Sequence, residues 1–336
     1  MRIERQIAAD RYGMLLNDMR AQALSVARAT GQTFFVNDAR SGLALMAVAA
    51  ASSLFAGMLG VLGAILAQMV GRTLSASRLL NDGGLIPLNG YFAAMAVGAF
   101  FPLGAATLAL AVAAAALAAV FTIVLHRTLA IWGLPVLVMP YVMAVAGVWL
   151  ICPQLTWCAA APAPLPPVVW PATWPDMLLF AGQACGAGLA ELVFSRSPLI
   201  GCGVLLALAL FDWQAAALAA LGTLCGTLTA IALGLPTSLI AIGLYGFGAA
   251  LTALALRRGT VRCGWLATVI AAGATAVATA MLGTLGSALG LLPLAAPYVV
   301  VVWVCTLAQP VNAPQAGEAR PRAPTPPSLP RLPRNF

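Results

Sequence analysis

The chain has 336 residues, of which 62% are hydrophobic and only 8% charged, and it carries a net charge of +8. A soluble domain has about a quarter charged residues, so there is too little polar surface to clothe a water-soluble fold of this size. The arginines are scattered and gather toward the two ends of the chain, which argues against a nucleic-acid-binding face.

Residues 1–20 carry Arg2, Glu4, Arg5, Asp10, Arg11, Asp18 and Arg20, with no apolar stretch of signal-peptide length. Long apolar runs follow at 42–71, 91–125, 134–151, 198–211, 214–256 and 264–308. A helix crossing a bilayer needs about 20 apolar residues, so the two longest runs must hold more than one helix each, and about ten spans fit. The runs are Ala- and Leu-rich and continuous, not alternating, which predicts helices and not barrel strands. Residues 152–176 contain seven prolines, which exclude a regular helix, and Trp157, Trp170 and Trp174, which suit a membrane–water interface. The Pro- and Arg-rich tail at 313–336 reads as disordered. The chain therefore divides into a first membrane unit with an N-terminal arm (1–151), a linker (152–176), a second membrane unit (177–312) and the tail (313–336). Arginines precede the first apolar run (Arg2 to Arg28) and follow the last (Arg320 to Arg334), and the linker has none. The positive-inside rule then puts both ends in the cytoplasm and the linker outside; a bacterial inner membrane is the expected location. An odd number of spans on each side of the linker follows. The cysteines show no metal-like spacing and read as small buried hydrophobes.

The two membrane units match at a nearly constant offset. Phe35 pairs with Phe194, Gly42 with Gly201, Gly63 with Gly222, and Gly84-Leu85 with Gly243-Leu244, all 159 apart. Near the end of each unit the offset shrinks: Leu134-Pro135 matches Leu292-Pro293, and Pro140-Tyr141 matches Pro297-Tyr298. Duplication with an odd span count predicts two copies inverted across the membrane. The arginines agree in part. Arg72 and Arg78 face uncharged 231–237, and Arg257, Arg258 and Arg262 face uncharged 98–103, whereas Arg40 and Arg196 break the pattern.

Two pairs of segments differ from plain spans. The stretches 83–98 and 242–256 open on Gly-rich backbone and continue as helices. This suits either broken helices whose free backbone meets a substrate, or close packing through small residues. The stretches 31–42 and 188–201 each place Gln32 or Glu191 three residues before a Phe, on one face if helical. Glu191 stands at membrane depth, where a carboxylate is costly and marks function unless it pairs with a neighbour such as Arg196. His126 reads as a loop residue beside Arg127, and Asp212 as a turn between spans. No catalytic or nucleotide-binding motif is present, so the chain is not expected to be an enzyme or to hold a metal or other cofactor.

These residues resemble the urea transporter family. Its repeats open with a G-Q/E-V-x-F-x-N-N-P-x-x-G pattern, continue with G-L-x-G-F-N-x-x-L and end with L-P-x-L-T-x-P-F. The chain follows that order in both halves over residues 30–305, most specifically at GLYGFGAALTALAL (243–256) and GLAELVFSRSPLIG (188–201). The resemblance implies an all-α polytopic membrane protein of two inverted repeats, each with about five transmembrane helices and one half-length re-entrant helix. It also implies a homotrimer in the lipid bilayer, with one pore per protomer for urea. By matching position, Gln32, Thr33 and Phe35 should line one mouth and Glu191, Leu192 and Phe194 the other. Phe247 and Leu251 fall on the slot positions of the second half, where the first half has Leu88 and Phe92 exchanged. Asn89 keeps the family asparagine and Gly248 replaces it. The family's central threonines fall on Val138 and Ala295, which predicts a drier centre. A staggered slot is expected, with Phe92 one turn from its usual place and each ring facing an aliphatic wall; the alternative is that Phe92 packs outward against a neighbouring helix. The resemblance implies passive diffusion of urea or a similar small neutral amide. A proton-coupled carrier using Glu191 and a non-conducting membrane scaffold are the competing readings.

Overall fold

A computed structural model describes residues 22–152, 168–259 and 262–309. The residues Arg2 to Arg20, Trp157 and the 313–336 tail, on which expectations were stated above, lie outside the described residues, as does most of the linker. The described chain is helical, with no strand. The first half runs α1 (22–32), α2 (Ala39–Ser52), α3 (Leu54–Thr73), the short α4 (Arg78–Asn81), α5 (Leu85–Phe100), α6 (Ala105–Ala130) and α7 (Met139–Ile151). The second runs α8 (Trp174–Ala190) with a 3-10 turn at Glu191–Val193, then α9 (Pro198–Phe211), α10 (Trp213–Ala232), α11 (Thr237–Ala241), α12 (Leu244–Arg258), α13 (Trp265–Ala288) and α14 (Ala296–Leu307).

Five of these stretches are long and apolar enough to cross a bilayer, namely α3, α6, α8 with its 3-10 turn, α10 and α13. Five further apolar helices, α2, α5, α7, α9 and α14, are shorter. The apolar run at 42–71 is not one helix, because Ser53 breaks it. The Ser53 side chain accepts from Ala56 N and caps α3, just as Asp212 accepts from Ala215 N and caps α10. α8 begins at Trp174, within the stretch read as linker. Trp170 stacks on Phe180 at 6.1 Å, and Thr237 Oγ1 donates to Val168 O at 2.7 Å, so the end of the linker is tied to α8 and α11.

The helix bounds recur along the chain. α2 and α9, and likewise α3 and α10, start and stop 159 residues apart. Every described residue with left-handed backbone has a partner in the other half: Phe35 with Phe194, Ser75 with Gly234 and Gly84 with Gly243 at 159, and Gly133 with Gly290 and Leu137 with Leu294 at 157. The paired glycines do paired work. A Cβ on Gly42 would lie 1.6 Å from Ala27 O, and one on Gly201 would lie 1.8 Å from Gly186 O, so both let a following helix press on its predecessor. α5 and α12 are buried along nearly their whole length, and they form the centre of their halves. Elements also meet their own counterparts. α2 packs on α9 and α7 on α14, and Trp303 of α14 donates to Pro135 O at 2.8 Å. The outer helices turn apolar side chains outward, as on α13 with Leu266, Ile270, Met281 and Leu285 exposed, which suits contact with lipid tails. Cys152 is disulfide-bonded, so the reading of the cysteines as isolated hydrophobes does not hold for it.

Candidate functional site

Two breaks in each half build the site. The first comes at the end of α1 and of α8. Residues 33–36 do not continue α1, and after Ala190 the chain tightens into the 3-10 turn 191–193 and then leaves the helix at 194–195. Val36 N donates to Gly31 O and Ser195 N to Ala190 O, while Phe35 and Phe194 adopt φ of 57° and 53°. These are C-terminal turns of the left-handed type, usually made by glycine. The expected single helical face for Gln32 and Phe35, and for Glu191 and Phe194, is therefore replaced by a turn. A left-handed Phe costs about 1–3 kcal/mol and persists only where its surroundings impose it. Its effect is to swing each ring inward.

The second break precedes α7 and α14. Leu137 and Leu294 are left-handed, and Val138 and Ala295 occupy the N-cap positions without a capping side chain. In the first half, Asn89 of α5 takes over the missing polar work. Its Nδ2 donates to Leu85 O (3.0 Å) and Leu137 O (3.3 Å), and its Oδ1 accepts from Tyr141 N at 3.1 Å. Asn89 thus stitches α5 to the start of α7. Gly248 offers no such side chain in the second half, where a Cβ would already sit 3.0 Å from Thr275 Cγ2. The tyrosines cross over: Tyr141 reaches the backbone of Ala295, and Tyr298 reaches that of Val138.

Three cavities lined by residues at and around these breaks adjoin one another through shared walls. The first, about 420 Å³, is lined by Gln32, Thr33, Phe35, Leu88, His126, Val138 and Tyr298, among others. The last, about 160 Å³, is lined by Phe100, Tyr141, Glu191, Phe194, Arg196 and Phe247, among others. Between them is a constriction of about 10 Å³, formed by Thr33, Phe92, Val138, Tyr141, Glu191, Leu192, Phe194, Phe247, Leu251 and Ala295. That is room for about one water-sized sphere. The constriction shares Thr33 and Val138 with the first cavity, and Tyr141, Glu191, Phe194 and Phe247 with the last. Each of the twelve site residues expected from sequence thus borders at least one of the three spaces. Leu192 borders the constriction alone and not a mouth.

The rings differ from the staggered arrangement with aliphatic walls. Phe92 faces Tyr141 at 5.7 Å and Phe194 at 6.2 Å, and Tyr141 stands 6.4 Å from Phe194. The left-handed turn at Phe194 supplies the opposing aromatic that the Leu88–Phe92 exchange removes. The centre is also less dry than the loss of both threonines suggests. The turn at 33–35 brings Thr33 beside Val138, and its Oγ1 is buried with no hydrogen-bond partner. Glu191 makes no ion pair with Arg196, although both border the last cavity. Gln32 donates its amide to Gly83 O at 2.8 Å, which leaves its carbonyl oxygen for other partners.

Sequence reasoning missed Tyr141, Tyr298, Arg196 and His126 as lining residues. His126 lies within α6 and not in a loop, because the helix runs on to Ala130. The Pro-Tyr pairs were the available signal for the tyrosines, and they served only to mark the repeat.

A helical membrane protein with a narrow, partly polar track between two cavities belongs to the solute transport proteins. The family profile described as urea transporter matches residues 23–310, most of the chain. The chain therefore belongs to the urea transporter family.

Proposed function

We propose that the protein lets urea, or a closely related small neutral amide, diffuse passively across the membrane through the three adjoining cavities. The observation that carries this reading is the sharing of wall residues between each cavity and the constriction, which makes one track of them. Urea is planar, so closely spaced rings at Phe92, Tyr141 and Phe194 select its shape. Its N–H groups need acceptors as its water is stripped, and Thr33 Oγ1, Gln32 Oε1 and Glu191 stand along the way. The uncapped N-termini of α7 and α14 begin at Val138 and Ala295, both at the constriction, so their positive dipole ends favour a carbonyl oxygen and disfavour cations there. No charge crosses with a neutral amide, so no coupling ion is needed.

The same reading treats the halves as two inverted repeats, 1–151 and 177–312. The recurring helix bounds and the equivalence of the two outer cavities support it: Gln32, Phe35, Leu88 and Tyr298 on one side correspond to Glu191, Phe194, Phe247 and Tyr141 on the other. The disulfide at Cys152 fits a linker in the oxidising space outside an inner membrane, with the arginine-bearing ends in the cytoplasm. Family membership supports a homotrimer with one track per protomer.

The test is stopped-flow light scattering on proteoliposomes challenged with urea. Protein-dependent swelling that is saturable only at high urea and indifferent to a proton uncoupler is expected. The unpartnered Glu191 favours one competing reading, a proton-coupled carrier, and uptake that collapses with the uncoupler would establish it. Absence of any amide flux would leave a non-conducting scaffold.

A further inference from the structure

Away from the three adjoining cavities, a cleft of about 360 Å³ lies where α10 and α13 begin and α12 ends. Its polar wall is Arg257 and Arg258, its flanks are Trp213 and Trp265, and its apolar floor includes Leu218 and Leu221 of α10. We propose that this cleft binds the headgroup of an anionic phospholipid, with the phosphate on the two guanidinium groups and an acyl chain along Leu218 and Leu221. The proposal rests on membership of a membrane-protein family and not on the conduction mechanism.

The arginines are held but not used up. Arg257 lies over the Trp265 ring at 4.2 Å and donates to Cys263 O at 2.6 Å, and no carboxylate pairs with it among the described residues. Arg258 Nη2 meets Asp212 at 2.5 Å, while its Nη1 is buried without an acceptor. A buried guanidinium N–H without a partner is costly, and a phosphate oxygen is the acceptor that fits it. α13 has Gly264 at its N-cap and no side-chain cap, so its first N–H groups add positive potential at the same place. Trp213 and Trp265 are 70% and 57% exposed, as expected of indoles standing at the headgroup level of a bilayer.

The first half lacks the residues that line this cleft. The counterparts of Trp213, Arg257, Arg258 and Trp265 at a spacing of 159 are Leu54, Gly98, Ala99 and Ala106, which carry neither charge nor indole. The feature therefore belongs to one membrane face. That face also carries the exposed Arg262, and it is the face the positive-inside rule assigns to the cytoplasm.

The experiment is native mass spectrometry of the full chain in detergent, titrated with phosphatidylglycerol or phosphatidylcholine, on the wild type and Arg257→Gln. Retention of phosphatidylglycerol over phosphatidylcholine is expected, with about five-fold weaker retention in the variant, from the usual worth of one basic residue at an anionic surface. If Arg257→Gln does not fold, Trp265→Ala removes the stacking platform and should weaken retention in the same direction. Equal retention of the two lipids, or undiminished retention in a folded variant, would overturn the proposal. Inorganic phosphate alone is the third titrant. Thermal stabilisation by phosphate equal to that by phosphatidylglycerol would make the cleft a free-anion site and refute the lipid assignment. A Trp265→Ala protein with altered subunit number but unchanged lipid retention would make it a contact between copies of the chain, which also refutes it.

Discussion

Thr33→Val removes one hydroxyl from the constriction and little else, since the two side chains have nearly the same shape. In the resting protein Thr33 Oγ1 is buried and makes no hydrogen bond. An unsatisfied buried polar group costs about 1–3 kcal/mol, so its loss should leave the fold as stable or slightly more so. Transport should move the other way. If a urea N–H borrows Thr33 while its water is stripped, the variant forfeits a hydrogen bond worth about 1 kcal/mol at the narrowest point, or about five-fold in flux. Thr33→Ser should restore most of it. The assay is urea efflux from proteoliposomes by stopped flow, paired with thermal unfolding in detergent followed by tryptophan fluorescence. Reduced flux with unreduced stability is the expected pair. Wild-type flux in a well-folded Thr33→Val protein would refute the placement of Thr33 on the substrate's path.

Glu191→Gln should keep substantial flux because its amide oxygen still accepts, whereas Glu191→Leu should lose most of it; full activity in the Leu variant would sink the role given to Glu191. Phe92→Leu opens the ring cluster with Tyr141 and Phe194 and should blunt discrimination between urea and bulkier amides, measured as the ratio of urea to acetamide and methylurea fluxes; an unaltered ranking in folded protein rejects it. Asn89→Ala leaves Tyr141 N–H and Leu137 C=O without their partner inside the protein and should destabilise by about 2–4 kcal/mol. Denaturation in detergent measures this, and a change within about 0.5 kcal/mol would mean that water takes the place of Asn89.

The class of the protein was legible from its first property, because a chain so poor in charge has few ways to fold outside a bilayer. The pairing of Gly42 with Gly201 and of Gly84 with Gly243 was legible for a similar reason. Close helix contact and left-handed backbone tolerate few residues other than glycine, so those demands leave a mark on the letters. Phe35 and Phe194 left no such mark. Nothing local in the sequence asks a phenylalanine to take a positive φ, and a helical continuation was the natural expectation. His126 was likewise placed in a loop because the polar pair at 126–127 hides the last turns of α6.

What the sequence by itself determined is the helical membrane fold and the recurrence of one unit along the chain, because these depend on composition and on spacing within each half; the site residues were implied by the resemblance to the family. Only the tertiary structure decided how they converge. The ring opposite Phe92 comes from Phe194, 102 positions later in the chain. The hydroxyl beside Val138 comes from Thr33, and each tyrosine reaches the backbone of the other half. Such contacts join residues far apart in the chain: Thr33 meets Val138 only once the helices of the first half have packed, and the rings and tyrosines meet only once the two halves have. No local propensity or period in the sequence can encode them.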